Sequence, residues 1–301
     1  MSEKEQTRCG VVAVLGAPNA GKSTLVNQLV GQKVAITSAK AQTTRARMMG
    51  IALHGQTQMI LVDTPGIFAP KRRLDRAMVS AAWEGAEAAD AVLLMVDPIK
   101  QRRHELEPLI EQVAGRPERK ILVLNKVDRA KKEPLLALAQ ELGEKVDFVE
   151  VFFVSALTGD GVPEMKQALA DMMPEGPWMY PEDQVSDASE RLLATEITRE
   201  QLYQQLHEEL PYDSAVRPEK YVQRPDGSVE IHQQIVVMRD NQRAIVLGKG
   251  GSRIKAIGEA ARKELSELLG QKVHLFLHVK TDERWTEDKE MFEEMGLEWK
   301  S

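Results

Sequence analysis

Five apolar runs recur through the first half of the chain: "VVAVLG", "MILVDTPG", "AVLLMVD", "KILVLNKVD" and "VEVFFVSAL". Each is rich in β-branched residues, ends in turn residues, and lacks the polar–apolar alternation of a half-exposed strand. Such runs are expected of strands covered on both faces of a mostly parallel sheet. Between them the apolar positions take a helical period, which predicts helices over 22–30, 74–89, 135–142 and 162–172. Strand–helix alternation predicts a doubly wound α/β domain whose ligands lie beyond the carboxyl ends of the strands.

The pattern changes at "MMPEGPWMYPEDQVSD", where three prolines, one glycine and scattered acids predict a linker. Beyond it the spacing predicts a helix over 188–209 and two strands, "VRPEKYVQR" and "SVEIHQQIVVMR", joined by the hairpin signal "PDG". A short helical stretch to Leu247, the turn "GKGG", a helix over 252–269 and a strand "KVHLFLHVK" complete a smaller α+β domain with a mainly antiparallel sheet. The expected division is 1–175, a linker at 176–190, a second domain at 191–281 and an acidic tail at 282–301.

Length and charge narrow the classes. At 301 residues two domains are natural, and a net charge of −6 argues against a general polyanion binder, so any nucleic-acid surface must be a local basic patch. The single Cys9 cannot form an internal disulfide and suits a reducing compartment. The opening "MSEKEQTR" lacks an apolar signal core, and no apolar run reaches membrane-spanning length. Six histidines show no metal-ligand spacing with cysteine, and no nucleophile–histidine–carboxylate set is visible.

Candidate chemistry begins at "GAPNAGKS", which follows a predicted strand and opens a predicted helix. The loop Gly16, Ala17, Pro18, Asn19, Ala20, Gly21, Lys22, Ser23 and Thr24 fits a phosphate cradle. Glycines let successive N–H groups curl around a β-phosphate, and the helix N-terminus adds a favourable dipole. Lys22 would reach the β- and γ-phosphates, and Ser23 would bind Mg²⁺. "DTPG", Asp63, Thr64, Pro65 and Gly66, ends a second strand; Asp63 can hold a Mg²⁺-bound water and the Gly66 N–H can sense a γ-phosphate. "NKVD" supplies Asn125, Lys126 and Asp128. The Asp128 carboxylate accepts from guanine N1–H and the 2-amino group, whereas adenine offers it a lone pair at N1 and no amino group. "SAL", Ser155, Ala156 and Leu157, offers the Ala156 N–H to guanine O6.

This assembly, with "AQTTR" between the first two motifs, resembles the translation-factor-like GTPases and the Era family most closely, over essentially the whole chain. The resemblance implies GTP and GDP as ligands and Mg²⁺ as cofactor, with Thr44 or its neighbour Thr43 completing the metal shell and Lys126 lying along the base. Ile67 stands where Ras-like enzymes carry a water-orienting glutamine, so hydrolysis must lean on Lys22, Thr44, Asp63 and the Gly66 backbone, with a monovalent cation as a further candidate. Asn19 occupies the position at which several such GTPases hold K⁺; holding that cation and merely shaping the loop are both open readings.

Gly248-Lys249-Gly250-Gly251 lies between two predicted helices, in the helix–strand–strand–helix–helix–strand order of a type II KH domain. In KH domains such a loop brings backbone N–H groups to single-stranded RNA. From Arg239 to Lys272 the chain carries a local excess of four positive charges. Lys249, Arg253 and Lys255 are the expected phosphate partners. Ile245, Ile254 and Ile257 are candidates for the groove floor, with core packing the alternative for at least one. The tail has five more acids than bases, and Trp285 is a candidate for base stacking, with an ordinary amphipathic closing helix as the other reading. The family resemblance implies the 3′ region of small-subunit (16S) ribosomal RNA and the small subunit itself as partners, a role in its assembly, a monomer, and a cytoplasmic location that leaves room for peripheral contact at the inner face of the membrane. The competing function is a membrane-associated GTPase timer whose C-terminal domain binds protein.

Overall fold

The computed structural model describes residues 6–40, 42–100, 103–207 and 210–299. It divides into two units, Met1–Ala35 with Thr44–Asp187, and Ile36–Thr43 with Ala188–Ser301.

The first unit is a six-stranded sheet of order β2-β3-β1-β4-β5-β6. Its elements run β1 (Arg8–Gly16), α1 (Lys22–Val30), β2 (Met48–His54), β3 (Thr57–Asp63), α2 (Arg73–Glu84), β4 (Ala91–Val96), α3 (Arg103–Ala114), β5 (Arg119–Asn125), α4 (Lys132–Gly143), β6 (Glu150–Val154) and α5 (Val162–Met172). All pairs are parallel except β2 with β3.

Continuous apolar strands are what this sheet requires, because successive side chains feed opposite faces. Val12, Val14, Leu93, Met95, Ile121 and Val123 pack with α1 and α5 on one side. Ala13, Leu15, Val92, Leu94, Leu122 and Leu124 pack with α3 and α4 on the other. β4 is buried at every position, and each large aliphatic side chain so enclosed contributes roughly 1.5–3 kcal/mol. α2 is shorter than expected: Gly85 caps it, and turns occupy the residues to Ala89.

The segment expected as a free linker is fastened to the first unit up to Ser186. Cys9 N–H donates to the Pro174 carbonyl and Gly176 N–H to Thr7. The Gln58 Oε1 accepts from the amides of Met179 and Tyr180, at 2.9 and 3.0 Å. Ile51 N–H donates to Val185, and Ser186 Oγ to the Met49 carbonyl.

The second unit holds α6 (Glu190–Gln205), β7 (Ser214–Gln223), β8 (Val229–Val237), α7 (Asp240–Leu247), α8 (Ser252–Leu269), β9 (Val273–Thr281) and a short α9 (Lys289–Glu294). α6 ends four residues before the expected Glu209, with Leu206 extended; Glu208 and Glu209 lie outside the described residues. The sheet order is β7-β8-β9. It is mixed rather than mainly antiparallel: β7 pairs antiparallel with β8, but β9 runs parallel to it. The α7–α8 crossover brings the chain back to the same end of the sheet, which makes the last pairing parallel.

Ile36–Thr43 belongs to this second unit although it sits early in the sequence. Ile36 joins the cluster of Ala194, Ile197, Val229, Ile231 and Leu265. Thr37 donates its N–H to Glu200 Oε1 at 2.9 Å and its hydroxyl to the same oxygen. The Lys40 ammonium donates to the carbonyls of Tyr203 and Leu206, where a cation also meets the negative end of the α6 dipole.

Candidate functional site

The predicted nucleotide motifs converge at the carboxyl edge of the first sheet. β1 delivers the loop 17–21, β3 ends in Asp63, β5 ends in Asn125, and Ser155 follows β6. α1 begins at Lys22 behind Gly21, whose φ of +103° is left-handed. Any side chain at Gly21 would stand 2.2 Å from Asn125 Nδ2. That close approach has a purpose: Asn125 Nδ2 donates to the Ala20 carbonyl at 2.7 Å, tying the base-reading strand to the phosphate loop.

Lys22 is buried and lies across the loop it serves, donating to the Gly16 and Ala17 carbonyls at 3.2 and 3.0 Å. Burial pulls its ammonium pKa down to about 8, with the Asp63 charge opposing the fall. An entering phosphate would compensate that desolvated charge.

Ser23, Thr44 and Asp63 meet in one place. Ser23 Oγ donates to Asp63 Oδ2 at 2.6 Å and lies 2.8 Å from Thr44 Oγ1, which itself lies 3.3 Å from the same carboxylate oxygen. Two hydroxyls and a carboxylate, all hard oxygen donors, fit Mg²⁺. Of the two candidate threonines, Thr44 takes this place, while Thr43 turns its hydroxyl to the Lys40 carbonyl. Ala41 of "AQTTR" lies outside the described residues. Thr64 is buried, its hydroxyl donating to the Val14 carbonyl at 2.7 Å. Gly66 approaches the loop so closely that a Cβ would stand 2.7 Å from the Pro18 backbone, and Ile67 N–H donates to Gly16. Pro65 is buried between these contacts, and Thr24 is half-buried on α1.

The base-reading side agrees in part. Asp128 is exposed in the turn Val127–Arg129, open to a base edge. Lys126, at φ +68°, donates to the Asn19 carbonyl at 2.8 Å. Asn19, itself at φ +64°, is exposed at the loop's crest. Ser155 is buried, its hydroxyl accepting from Thr158 N–H. The Ala156 amide donates to Asn125 Oδ1 at 2.9 Å. Leu157 is 78 % exposed. Sequence reasoning missed Asp97, directly after β4, whose Oδ2 lies 2.5 Å from Lys126 Nζ. A lone aspartate ending an apolar run carries no motif.

In the second unit, Gly248 lies at φ +71°, Gly250 at +60° and Gly251 at +78°, so the loop takes positive φ at three glycines between α7 and α8. Lys249 and Lys255 are exposed, while Arg253 is half-buried with Nη1 toward the Gln205 carbonyl. Ile245 is 49 % exposed and Ile254 half-buried beside the core. Ile257 is fully buried in that core and cannot touch a ligand. A cavity of about 320 Å³ that the sequence did not suggest opens beside the start of α7, between Asp240, Arg243, Gln234 and Lys280.

The tail corrects a second expectation. Trp285 is 0 % exposed, so it is not placed to stack on a base. Met291, Phe292 and Leu297 are buried with it in the closing segment, and Arg217 on β7 pairs with Glu290 and Glu294. This is the amphipathic closing helix of the other reading, with its carboxylates engaged by arginine.

Known proteins carry the same organisation. Residues 11–126 match the family described as 50S ribosome-binding GTPase, and residues 209–286 match the KH domain. GTPase Era of Erythrobacter litoralis is 83 % identical over 99 % of each chain. The chain belongs to the Era family of GTPases. Era of Brucella suis is 55 % identical over 99 % of this chain and 96 % of its own. Among solved structures, Era in complex with MgGDPNP and nucleotides 1506–1542 of 16S ribosomal RNA superposes with a TM-score of 0.91 at 36 % identity, covering 96 % of this chain and 99 % of that one. A variant of Aquifex aeolicus Era bound to GDP and AlF₄⁻ gives the same TM-score, identity and coverage. Membership of the Era family makes the chain a P-loop GTPase with GTP or GDP and Mg²⁺ as its ligands, followed by a KH domain.

Proposed function

We propose that this GTPase is a switch that binds the 3′ region of 16S ribosomal RNA through its KH domain and acts in assembly of the small ribosomal subunit, as a cytoplasmic monomer. The observation that carries the reading is the pairing, in one chain, of the Ser23–Thr44–Asp63 oxygen cluster with a glycine loop flanked by exposed Lys249 and Lys255. The 16S RNA in the solved Era complex supports the choice of partner.

Ser23, Thr44 and Asp63 would hold the metal, the first and last as ligand and water-orienting carboxylate. Bound there, Mg²⁺ supplies Lewis-acid neutralisation of the phosphate oxygens. Lys22 meets the β- and γ-phosphates, and Gly66 N–H reports the γ-phosphate. Asn125 and Lys126 brace the loop while Asp128 reads guanine. Ile67 has no group to polarise water, so backbone donors and cations must carry that work, and intrinsic hydrolysis is slow. Asn19 at the loop's crest supports a monovalent site there: hydrolysis runs faster in K⁺ than in Na⁺, and equal rates in the two salts would remove that site.

A basic glycine loop favours RNA over a protein partner for the second unit. Among the described residues no helix is long and apolar enough to cross a membrane. Filter binding with an oligonucleotide matching the 3′ end of 16S RNA, against a scrambled one, tests the proposal. Preferential retention of the first is expected; equal retention of both, or of neither, would overturn it.

A further inference from the structure

We propose that Asp97 is a positioning residue for guanine-nucleotide binding: it holds Lys126 between the base-reading strand and the phosphate loop. The inference rests on the nucleotide site described above and adds a residue that none of its motifs contains.

Asp97 follows β4 and is buried, at the same sheet edge as Asn125. One of its oxygens is committed to local structure, since Oδ1 accepts from the amides of Ile99 and Lys100 at 2.9 and 3.2 Å. The chain turn therefore fixes the carboxylate plane, and Oδ2 is aimed at Lys126 Nζ, 2.5 Å away. The same ammonium donates to the Asn19 carbonyl at 2.8 Å. Lys126 thus bridges a carboxylate just after β4 and a carbonyl on the phosphate loop, while its own backbone, at φ +68°, starts the turn that carries Asp128. Its side chain is only 26 % exposed, and that of Asp97 6 %, so the pair is little screened by solvent.

The consequence is directional. A lysine pulled by two fixed acceptors keeps its methylene stem in one line, and that stem is the surface along which a base lies. Without Asp97 the ammonium keeps one fixed acceptor, and the stem regains rotamers that binding must then freeze. The effect belongs to the base half of the ligand, so it must weaken GDP and GTP by the same factor.

Asp97→Asn separates the two jobs, because the amide oxygen can still accept from Ile99 and Lys100 while the charge facing Lys126 is gone. The probe is a fluorescent GDP analogue, with unlabelled GDP and GTP as competitors, on the full chain. Asp97→Asn is expected to release GDP roughly tenfold faster, the scale of coupling between residues in contact, and to lose affinity for GTP by a similar factor. Lys126→Met keeps the stem and removes the ammonium; it should reproduce the loss, and adding Asp97→Asn to it should cost nothing more. Wild-type release rates in either single variant would overturn the proposal. An undiminished effect of Asp97→Asn in the Lys126→Met background would also overturn it, since Asp97 would then act through its turn alone. Should Asp97→Asn fail to fold, Lys126→Met decides alone, because wild-type binding without the ammonium leaves Asp97 nothing to position. A wild-type chain that fails to bind the probe would indict the nucleotide site itself, a distinguishable result.

Discussion

Asp128 is exposed on a tight turn after β5, so the selectivity proposed for it would come from what its two oxygens can accept rather than from pocket shape. Asp128→Asn replaces one acceptor by a donor. GTP affinity should fall by about a hundredfold or more, while xanthosine triphosphate, which presents a carbonyl where guanine has its amino group, should gain. Competition titrations with both nucleotides measure this, and unchanged GTP affinity would place the base elsewhere. Trp285 makes the opposite case. A tryptophan in an acidic tail reads equally as a stacking surface or as a closing plug, because composition carries no burial. The fold makes it a plug, so Trp285→Ala should cost about 3–5 kcal/mol in urea unfolding. A variant with wild-type stability but weakened RNA binding would return the indole to the surface. Asp97 was illegible for a similar reason: it depends on a partner, Lys126, brought from another strand end.

Elements with a complete period and clear ends were readable. Helices at Lys22–Val30, Val162–Met172 and Ser252–Leu269 form where the spacing predicts them, each between glycine or turn signals. Those with conflicting signals were not. β2 is an edge strand with Gly50, a weak strand former, in its middle, and α3 buries Leu106, Leu109, Ile110 and Val113 in helical spacing but carries Pro108 inside. The proline-rich strap looked free because its hydrogen bonds go to positions distant in sequence, Gln58 on β3 and Met49 on the edge strand β2, that no local pattern reveals. The glycine loop was readable, and its backbone refines how to test it. Gly248 is a poor site for a charged probe, since a Cβ there would stand 2.9 Å from the Arg253 nitrogen. Gly250 faces open space at φ +60°, a conformation that Asn and Asp tolerate best after glycine. Gly250→Asp should therefore fold and lose RNA by tenfold or more through repulsion of phosphate, while Gly250→Asn loses far less. Equal losses in the two variants would mean that the loop's shape, and not its potential, meets RNA.

Across the whole molecule the informative fact is where Ile36–Thr43 folds. Its described residues group with the KH unit, through Ile36 in the core, Thr37 on Glu200 and Lys40 on the end of α6. The next residue in the chain is Thr44, which stands with Ser23 and Asp63. A covalent step thus separates the proposed metal ligand Thr44 from a segment that groups with the KH unit. If Thr44 closes over Mg²⁺ and GTP and is released on hydrolysis, the packing of residues 36–43 cannot be equally favourable in both states. RNA affinity should then differ between the GTP- and GDP-bound forms, and by linkage RNA must change the ratio of GTP to GDP affinity by that same factor. A coupling of about 1–3 kcal/mol corresponds to roughly 5- to 150-fold. Lys40→Ala removes the tie to the Tyr203 and Leu206 carbonyls without touching phosphate, metal or the glycine loop. It should shrink the ratio toward one while leaving RNA affinity of the GDP form within a few-fold. Oligonucleotide titrations with GDP and a non-hydrolysable GTP analogue, on wild type and Lys40→Ala, read both quantities. Equal RNA affinity in the two nucleotide forms of the wild type would leave the segment a structural plug and deny the switch.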